Sequence, residues 1–474
     1  MTKKTVITRE IDMRQILLIA LMCFLVLFTN ALLAQKGYNY KNDVYLGGIK
    51  SVQTTVNNSI ESIPVLRVGS TDDFILTFDD LNEDESSEYA YKLIHCTRDW
   101  QPSGIMEIDY INGYNNEPLR KWEFSNSTLT MYTHYWLQIP NRDTKIKISG
   151  NYLLLIYDRG HQDKPVITRR FLVTEQKVSI LAQFLRPTNV VDLQFKQQFA
   201  LKIDMRDYPI QNPMRDVHMT IVQNGDWGNA LEGTKPMFIS NTVLTYNAFG
   251  TLLFNGNQEF RSFDLRSLRG RGMGVKDIVR TKDAIEVVLF DQRPRQNVLY
   301  SLIPDFNGKF YIDNRDRPAF NQRIGNSTSS VDSIRSSFAE SFNYKDNGYE
   351  LIEKNINSDY CYVSFKYSDP SYDGNVYLFG EFTNWELQPQ YLMNYDIDKK
   401  DYTSRIQLKQ GYYDYYFATM DKNKKADFSK TEGTWQDTEN DYMFLVYQSD
   451  FTTRYDRLIA TKRVNSFTDG ANRR

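Results

Sequence analysis

Short apolar runs recur along the chain, and each stops at a cluster of Gly, Pro, Asn or Asp. Phe74–Phe78, Tyr89–Ile94, Asn151–Tyr157 and Phe171–Val173 form a first set. Val178–Phe184, Phe199–Ile203, Val217–Val222 and Ala284–Phe290 form a second, and Tyr360–Tyr367, Asn375–Phe379, Tyr402–Leu408, Tyr412–Ala418 and Tyr442–Tyr447 a third. Their β-branched and aromatic content suits pleated, half-buried surfaces. No longer segment carries the apolar stripe of an amphipathic helix. The pattern predicts an all-β fold of tandem β-sandwich domains. The expected units are 35–176, 177–315 and 358–460. Between the last two, 316–357 reads as a Ser- and Asn-rich linker or mobile loop, and 461–474 as a basic, frayed tail.

The start of the chain follows a different pattern. Lys3, Lys4, Arg9 and Arg14 precede an unbroken apolar run, Ile16–Phe28, and Ala31-Leu-Leu-Ala34 supplies small residues ahead of Gln35. A basic region, an apolar region and a small-residue site in that order predict a secretory signal peptide cleaved near Ala34/Gln35. The alternative is an uncleaved anchor helix, since Ile16–Ala34 is close to membrane length. Cys23 lies inside the apolar run and no Cys follows the site, so no covalent lipid anchor is expected. Cleavage would move the formal net charge from −2 to −4.

Composition narrows the function classes. Lys and Arg number 57 against 59 Asp and Glu, so the basic excess of a general nucleic-acid binder is missing. Four His and three Cys leave little stock for metal clusters or thiol chemistry. Cys96 and Cys361 lie far apart in the sequence and read as buried free thiols, with a disulfide as the alternative in an oxidising compartment. No nucleophile elbow, phosphate-binding loop or paired-His zinc motif occurs. His95, His134, His161 and His218 lack ligand spacing, and His134 reads as a hydrogen-bonded structural residue within a strand. No cofactor and no metal is expected.

Two charged segments remain. Asp72–Glu88 holds eight acids and no base; it reads as a solvated acidic loop, or as an imperfect calcium loop with Glu85 where glycine is required. Arg261–Lys282 carries a net +5, with Arg266, Arg269, Arg271 and Lys276 among its cations. Read as a loop made pliable by Gly270, Gly272 and Gly274, it suits phosphate, lipopolysaccharide or an acidic partner, or else is merely solvated.

Val376-Tyr-Leu-Phe-Gly-Glu-Phe-Thr-Asn-Trp385, followed by Lys409-Gln-Gly-Tyr-Tyr-Asp-Tyr-Tyr-Phe417, resembles the early-set immunoglobulin-like module found beside glycogen-active enzymes. That resemblance implies a fold more than a ligand. As an alternative it offers Trp385, Tyr413 and Trp435 as glycan platforms, with Asn440 as a polar partner.

A longer resemblance runs through almost the whole mature chain. Cys96-Thr-Arg-Asp-Trp100, Asp109-Tyr-Ile-Asn-Gly113, Tyr132-Thr-His-Tyr135, Ser149-Gly-Asn-Tyr152 and Thr168-Arg-Arg-Phe171 come first. Asn257-Gln-Glu-Phe-Arg-Ser-Phe-Asp-Leu-Arg-Ser267, Thr438-Glu-Asn-Asp-Tyr442 and Asp456-Arg-Leu-Ile459 follow. The ordered set resembles the type IX secretion plug protein family. The resemblance implies a non-enzymatic periplasmic protein associated with the outer membrane. Its expected partner is the large translocon β-barrel, whose periplasmic mouth it closes. The basic segment, through Arg266, Arg269, Arg271 and Lys276, is the first candidate contact, and the aromatic run at Tyr412 and Tyr413 the second. A glycan-binding protein is the alternative, and a glycoside hydrolase a remoter one. Residues 456–474 are basic but lack the strand ending of exported cargo, so retention in the periplasm is expected.

Overall fold

The computed structural model describes residues 37–82, 87–246, 250–316, 354–449 and 454–469. The leader, most of the 316–357 segment and the last five residues lie outside the described residues. Among those described, strands dominate, and the helices are single turns such as Glu107–Tyr110 and Pro213–Asp216. The strands assemble into three β-sandwiches, as the alternation predicts.

The first sandwich pairs two mainly antiparallel sheets. One runs in the order Asp43–Val44, His161–Thr174, Gly150–Asp158, Tyr89–Cys96, Glu117–Pro118, with Val65–Arg67 added parallel to His161–Thr174. The other runs Ser59–Ile60, Ile49–Val56, Phe74–Asp80, Thr133–Ile139, Trp122–Phe124. Alternation decides what lies between them: Phe74, Leu76, Phe78 and Tyr135 of one sheet face Tyr152, Leu154 and Phe171 of the other in one core. The rings of Phe78 and Tyr135 stack at 5.1 Å.

The other two sandwiches correct the expected boundaries. The second sets the sheet built on Ser179–Leu185 and Lys196–Asp204 against the order Asp226–Thr234, Val217–Gln223, Asp441–Gln448, Arg457–Asn465. Residues from both ends of 177–465 therefore close it. The third comprises everything between: Arg261–Asp264, Gly411–Met420 and Phe310–Ile312 on one side, and Val275–Arg280, Ile285–Leu289, Tyr360–Ser368, Asp401–Lys409 and Asn394–Asp396 on the other. It is thus inserted into the second, and neither 177–315 nor 358–460 is a unit. The reason is physical: alternation shows which face of a strand is buried but not which strand lies beside it. The expected frayed tail begins as a strand too: Arg457–Asn465 runs into it, and Val464 is buried.

The two passages between the second and third sandwiches lie against each other. Trp435 N–H donates to Asn257 O at 2.7 Å, and a Cβ on Gly256 would stand 1.8 Å from Trp435 O. Only glycine allows that approach.

The first sandwich contacts both others, in different ways. Against the second it shares an apolar core: Ile63, Cys96, Trp100, Leu153 and Leu172 pack on Val222, Met443, Leu445, Tyr447 and Leu458. The strand Asp441–Gln448 is therefore buried on both faces, with Tyr442, Phe444 and Val446 directed into its own sandwich. Against the third sandwich the seam is largely polar.

Candidate interaction surface

The basic segment is not a loop. Arg261–Asp264 and Val275–Arg280 are strands of opposite sheets in the third sandwich, joined by a tight excursion. Two of its glycines are needed for close approach rather than pliability: a Cβ on Gly272 would meet Asp264 O at 2.2 Å, and Gly274 has φ +77° against Ser262 O. Arg261 points inward, where its Nε lies 3.0 Å from Glu432 Oε1 and its guanidinium also binds Gln292 and Arg293 O. Arg266 is buried as well. Its Nε and Nη2 grip Asp264 at 2.9 and 2.5 Å, and its guanidinium lies 5.6 Å from the rings of both Tyr311 and Tyr412. Burial would lower the Arg266 pKa, but the Asp264 contact outweighs it and raises it. Arg266 is therefore no surface contact in this fold. Arg269, Arg271 and Lys276 are exposed. Arg271 pairs with Asp277 at 3.0 Å and Lys276 with Asp291 at 3.5 Å, links that solvent screens heavily. Lys276 lies on the edge strand of a five-stranded sheet, where cations also discourage edge-to-edge pairing, and Arg269 and Arg271 lie on the excursion that leads into it.

The aromatic run is likewise removed from the surface. Gly411–Met420 is flanked by strands on both sides, and Tyr412 and Tyr413 are 4% and 1% exposed. Tyr413 stacks between Phe263 and Phe310, each at 5.3 Å, and its hydroxyl donates to Lys409 O.

The glycan platform is not assembled either. Trp385 is buried edge-on against Phe260 and Phe379, and Tyr413 sits in a separate core. Trp435 is half-buried in the passage beside Gly256. Asn440 is fully buried; its Nδ2 donates to Gly256 O at 2.9 Å and its Oδ1 accepts from Asn224 Nδ2 at 2.7 Å. These residues build the junction between sandwiches and form no shared face.

The acidic segment also differs from expectation, because half of it is the strand Phe74–Asp80. Arg67 holds the Asp72 carboxyl well below the usual carboxylate range, and Asp80 accepts from Tyr89 OH at 2.7 Å. Asp79 is fully buried at the seam with the third sandwich. It contacts Lys409 Nζ, accepts from Tyr360 OH at 2.5 Å, and lies 2.6 Å from His134 Nδ1. Burial alone would raise the Asp79 carboxyl, but Lys409 and His134 outweigh it and hold it low. Burial lowers the His134 pKa and keeps the ring neutral, so His134 is the hydrogen-bonded strand residue its sequence context implies.

Two further buried clusters flank the passages. Glu432 is held by Arg261 and by Arg295, whose Nε lies 2.7 Å from Oε2. Glu259 accepts from Tyr300 OH at 2.6 Å and its other oxygen has no partner; burial pushes its carboxyl up to about 7. Among the described residues no three His, Cys, Asp or Glu are grouped to hold a metal ion. Cys96 and Cys361 are buried and form no disulfide with each other. A small recess, partly open to solvent, lies on the polar seam; Glu381 is its single carboxylate, beside Arg169, Ser62 and Trp385.

One exposed feature escaped the sequence reading. Trp122 and Phe124, with rings 5.1 Å apart, are 39% and 56% exposed on the edge strand of the first sandwich, next to exposed Met131. Trp-Glu-Phe has the alternation of a half-buried strand, so nothing in the triplet separates an exposed pair from a core pair.

The fold defines the class: a scaffold of three interlocked β-sandwiches. Residues 49–175 match the family model of the type 9 secretion system plug protein 1st domain. That span is the first sandwich almost residue for residue and holds the motifs from Cys96–Trp100 to Thr168–Phe171, so the family match agrees with the sequence resemblance over this part of the chain. A crystal structure of a hypothetical protein from Parabacteroides merdae ATCC 43184 is similar over 90% of this chain and 100% of its own, at 28% identity and a TM-score of 0.79. No curated protein matches the chain.

Proposed function

We propose that the protein is a periplasmic plug that binds the periplasmic opening of the type IX secretion translocon barrel and closes its channel. The observation that carries this reading is the plug-domain match over the first sandwich. The architecture supports it physically: three sandwiches packed on one another give a broad surface, and closing a wide pore needs a large complementary surface rather than a pocket. No catalytic role is part of the reading. The contact we assign is the basic edge at Arg269, Arg271 and Lys276, whose charges steer encounter with an acidic rim and keep binding reversible. Arg266, Tyr412 and Tyr413 drop out because they are buried.

The test is co-purification from detergent-solubilised outer membranes. Recovery of a large barrel with the tagged protein is expected, and a triple Arg269→Glu, Arg271→Glu, Lys276→Glu variant should lose most of it. Absence of any barrel would refute docking, whereas undiminished recovery with the triple variant would refute only the assigned edge.

A further inference from the structure

The first sandwich meets its two neighbours through seams of opposite character. The seam with the second is a shared apolar core, and parting it would strand Leu153, Leu172, Met443, Leu445, Tyr447 and Leu458 in water. The seam with the third is held mainly by polar links, its apolar contacts being Tyr132 edge-on to Tyr360 at 5.3 Å and Ile60 against Tyr311 and Tyr412. Beyond the Asp79–Lys409–Tyr360 cluster, Gln53 Nε2 donates to Phe310 O at 2.9 Å and Ser62 Oγ to Glu381 Oε1 at 2.7 Å. Arg169 Nη2 donates to Asn384 Oδ1 at 2.9 Å, and Asp359 accepts from the N–H groups of Leu129 and Thr130. The recess beside Arg169 and Glu381 interrupts the packing on this same seam.

A seam of this kind separates at low cost. Each of these polar links can be exchanged for water, and a buried ion pair gains little over its hydrated ions because desolvation offsets the attraction. Relative motion is the ordinary behaviour of linked domains unless the contact is large and apolar. The groups left on the first sandwich are already supported: Asp79 keeps His134 within its own sheet, and Arg169 keeps the carbonyls of Asp43 and Thr168. The third sandwich stays tethered by its two adjacent passages, bonded at Asn257 and Trp435.

We infer that the first and second sandwiches form one permanent body, and that the third is latched to the first by the Asp79–Lys409 seam and swings away from it. This is independent of which partner the protein binds.

The test uses spin labels at exposed positions, since buried Cys96 and Cys361 stay unlabelled in the folded protein. Asn112→Cys with Lys422→Cys spans the first and third sandwiches, and Asn112→Cys with Lys235→Cys spans the first and second. Pulsed dipolar spectroscopy on the wild-type background should show a second, longer distance for the former pair and a single distance for the latter. Lys409→Glu, which sets two carboxylates against each other, should move most of the former population to the longer distance. Asp79→Leu with Lys409→Leu, an apolar seam, should abolish it. The latch is refuted if the wild type shows one distance between first and third sandwiches, or if both label pairs broaden alike. Should Lys409→Glu fail to fold, the comparison of wild type with the Leu pair still decides.

Discussion

Replacing Glu432 by Gln removes one negative charge from a site with almost no solvent and leaves shape nearly unchanged. Glu432 is fully buried between Arg261, itself 7% exposed, and Arg295. It also accepts Phe417 N–H at 2.9 Å, which ties the passage back to the long strand of the third sandwich. In the variant an amide N–H group faces one of two guanidinium groups, and both cations lose their counter-charge. Gln292 and the carbonyls of Arg293 and Glu259 still accept from them, so neither is wholly unsolvated. Breaking a buried pair from one side costs about 3–5 kcal/mol. With a urea dependence of ~2 kcal/mol per molar for a domain of this size, the midpoint should fall by roughly 1.5–2.5 M. The pH dependence fixes the cause. Burial would raise the Glu432 carboxyl, but the two arginines hold it below its usual value. A depressed folded pKa contributes stability that is complete above the unfolded value of about 4.3 and vanishes as pH falls through the folded one. Wild type and variant should therefore differ most at neutral pH and converge in acid. A midpoint shift below about 0.5 M, or a gap that persists unchanged into acid, would refute the triad's role.

Three further outcomes are expected. Trp385→Ala should destabilise by about 3–5 kcal/mol in thermal or urea unfolding, as a cavity opens between Phe260 and Phe379; mobility in glycogen gels should be the same for wild type and variant. Glu259 is held up near 7 by burial, so it favours the folded state in its protonated form and its contribution declines as pH rises from about 4 towards 7. Glu259→Gln should flatten that decline, and a stability–pH curve superimposable on wild type would count against it. Ellman's reagent should find no reactive thiol in the native chain from residue 35 onward and two after guanidine unfolding, since Cys96 and Cys361 are buried and burial raises the Cys361 pKa.

The strands were legible because each declares its buried face locally. Tyr442–Tyr447 even showed in its unbroken apolar run that both faces are covered, a pattern that periodicity reads as a fully buried strand. Which sandwich it closes was not legible, since pairing with Val217–Gln223 is settled by contacts remote in sequence. The basic segment was misread for a related reason. Its glycines and cations have loop composition, yet Arg261 and Arg266 are neutralised by Glu432 and Asp264 inside the fold. Lys409 likewise gives no local sign of burial, because its counter-ion Asp79 lies in another sandwich.

The nesting of the third sandwich within the second sets an order for assembly. Synthesis delivers residues from the N-terminus, so Val217–Gln223 emerges long before its partner Asp441–Gln448. The first and third sandwiches have all their described strands before the second receives its last two, and until then the apolar faces of Val222 and Leu172 stand without the cover of Met443 and Leu445. Closure of the second sandwich is thus the final step of folding, a late event of high contact order. A chain arrested before Asp441 would display a greasy open sheet that chaperones and proteases can recognise, which gives the cell a checkpoint on completeness written into the topology.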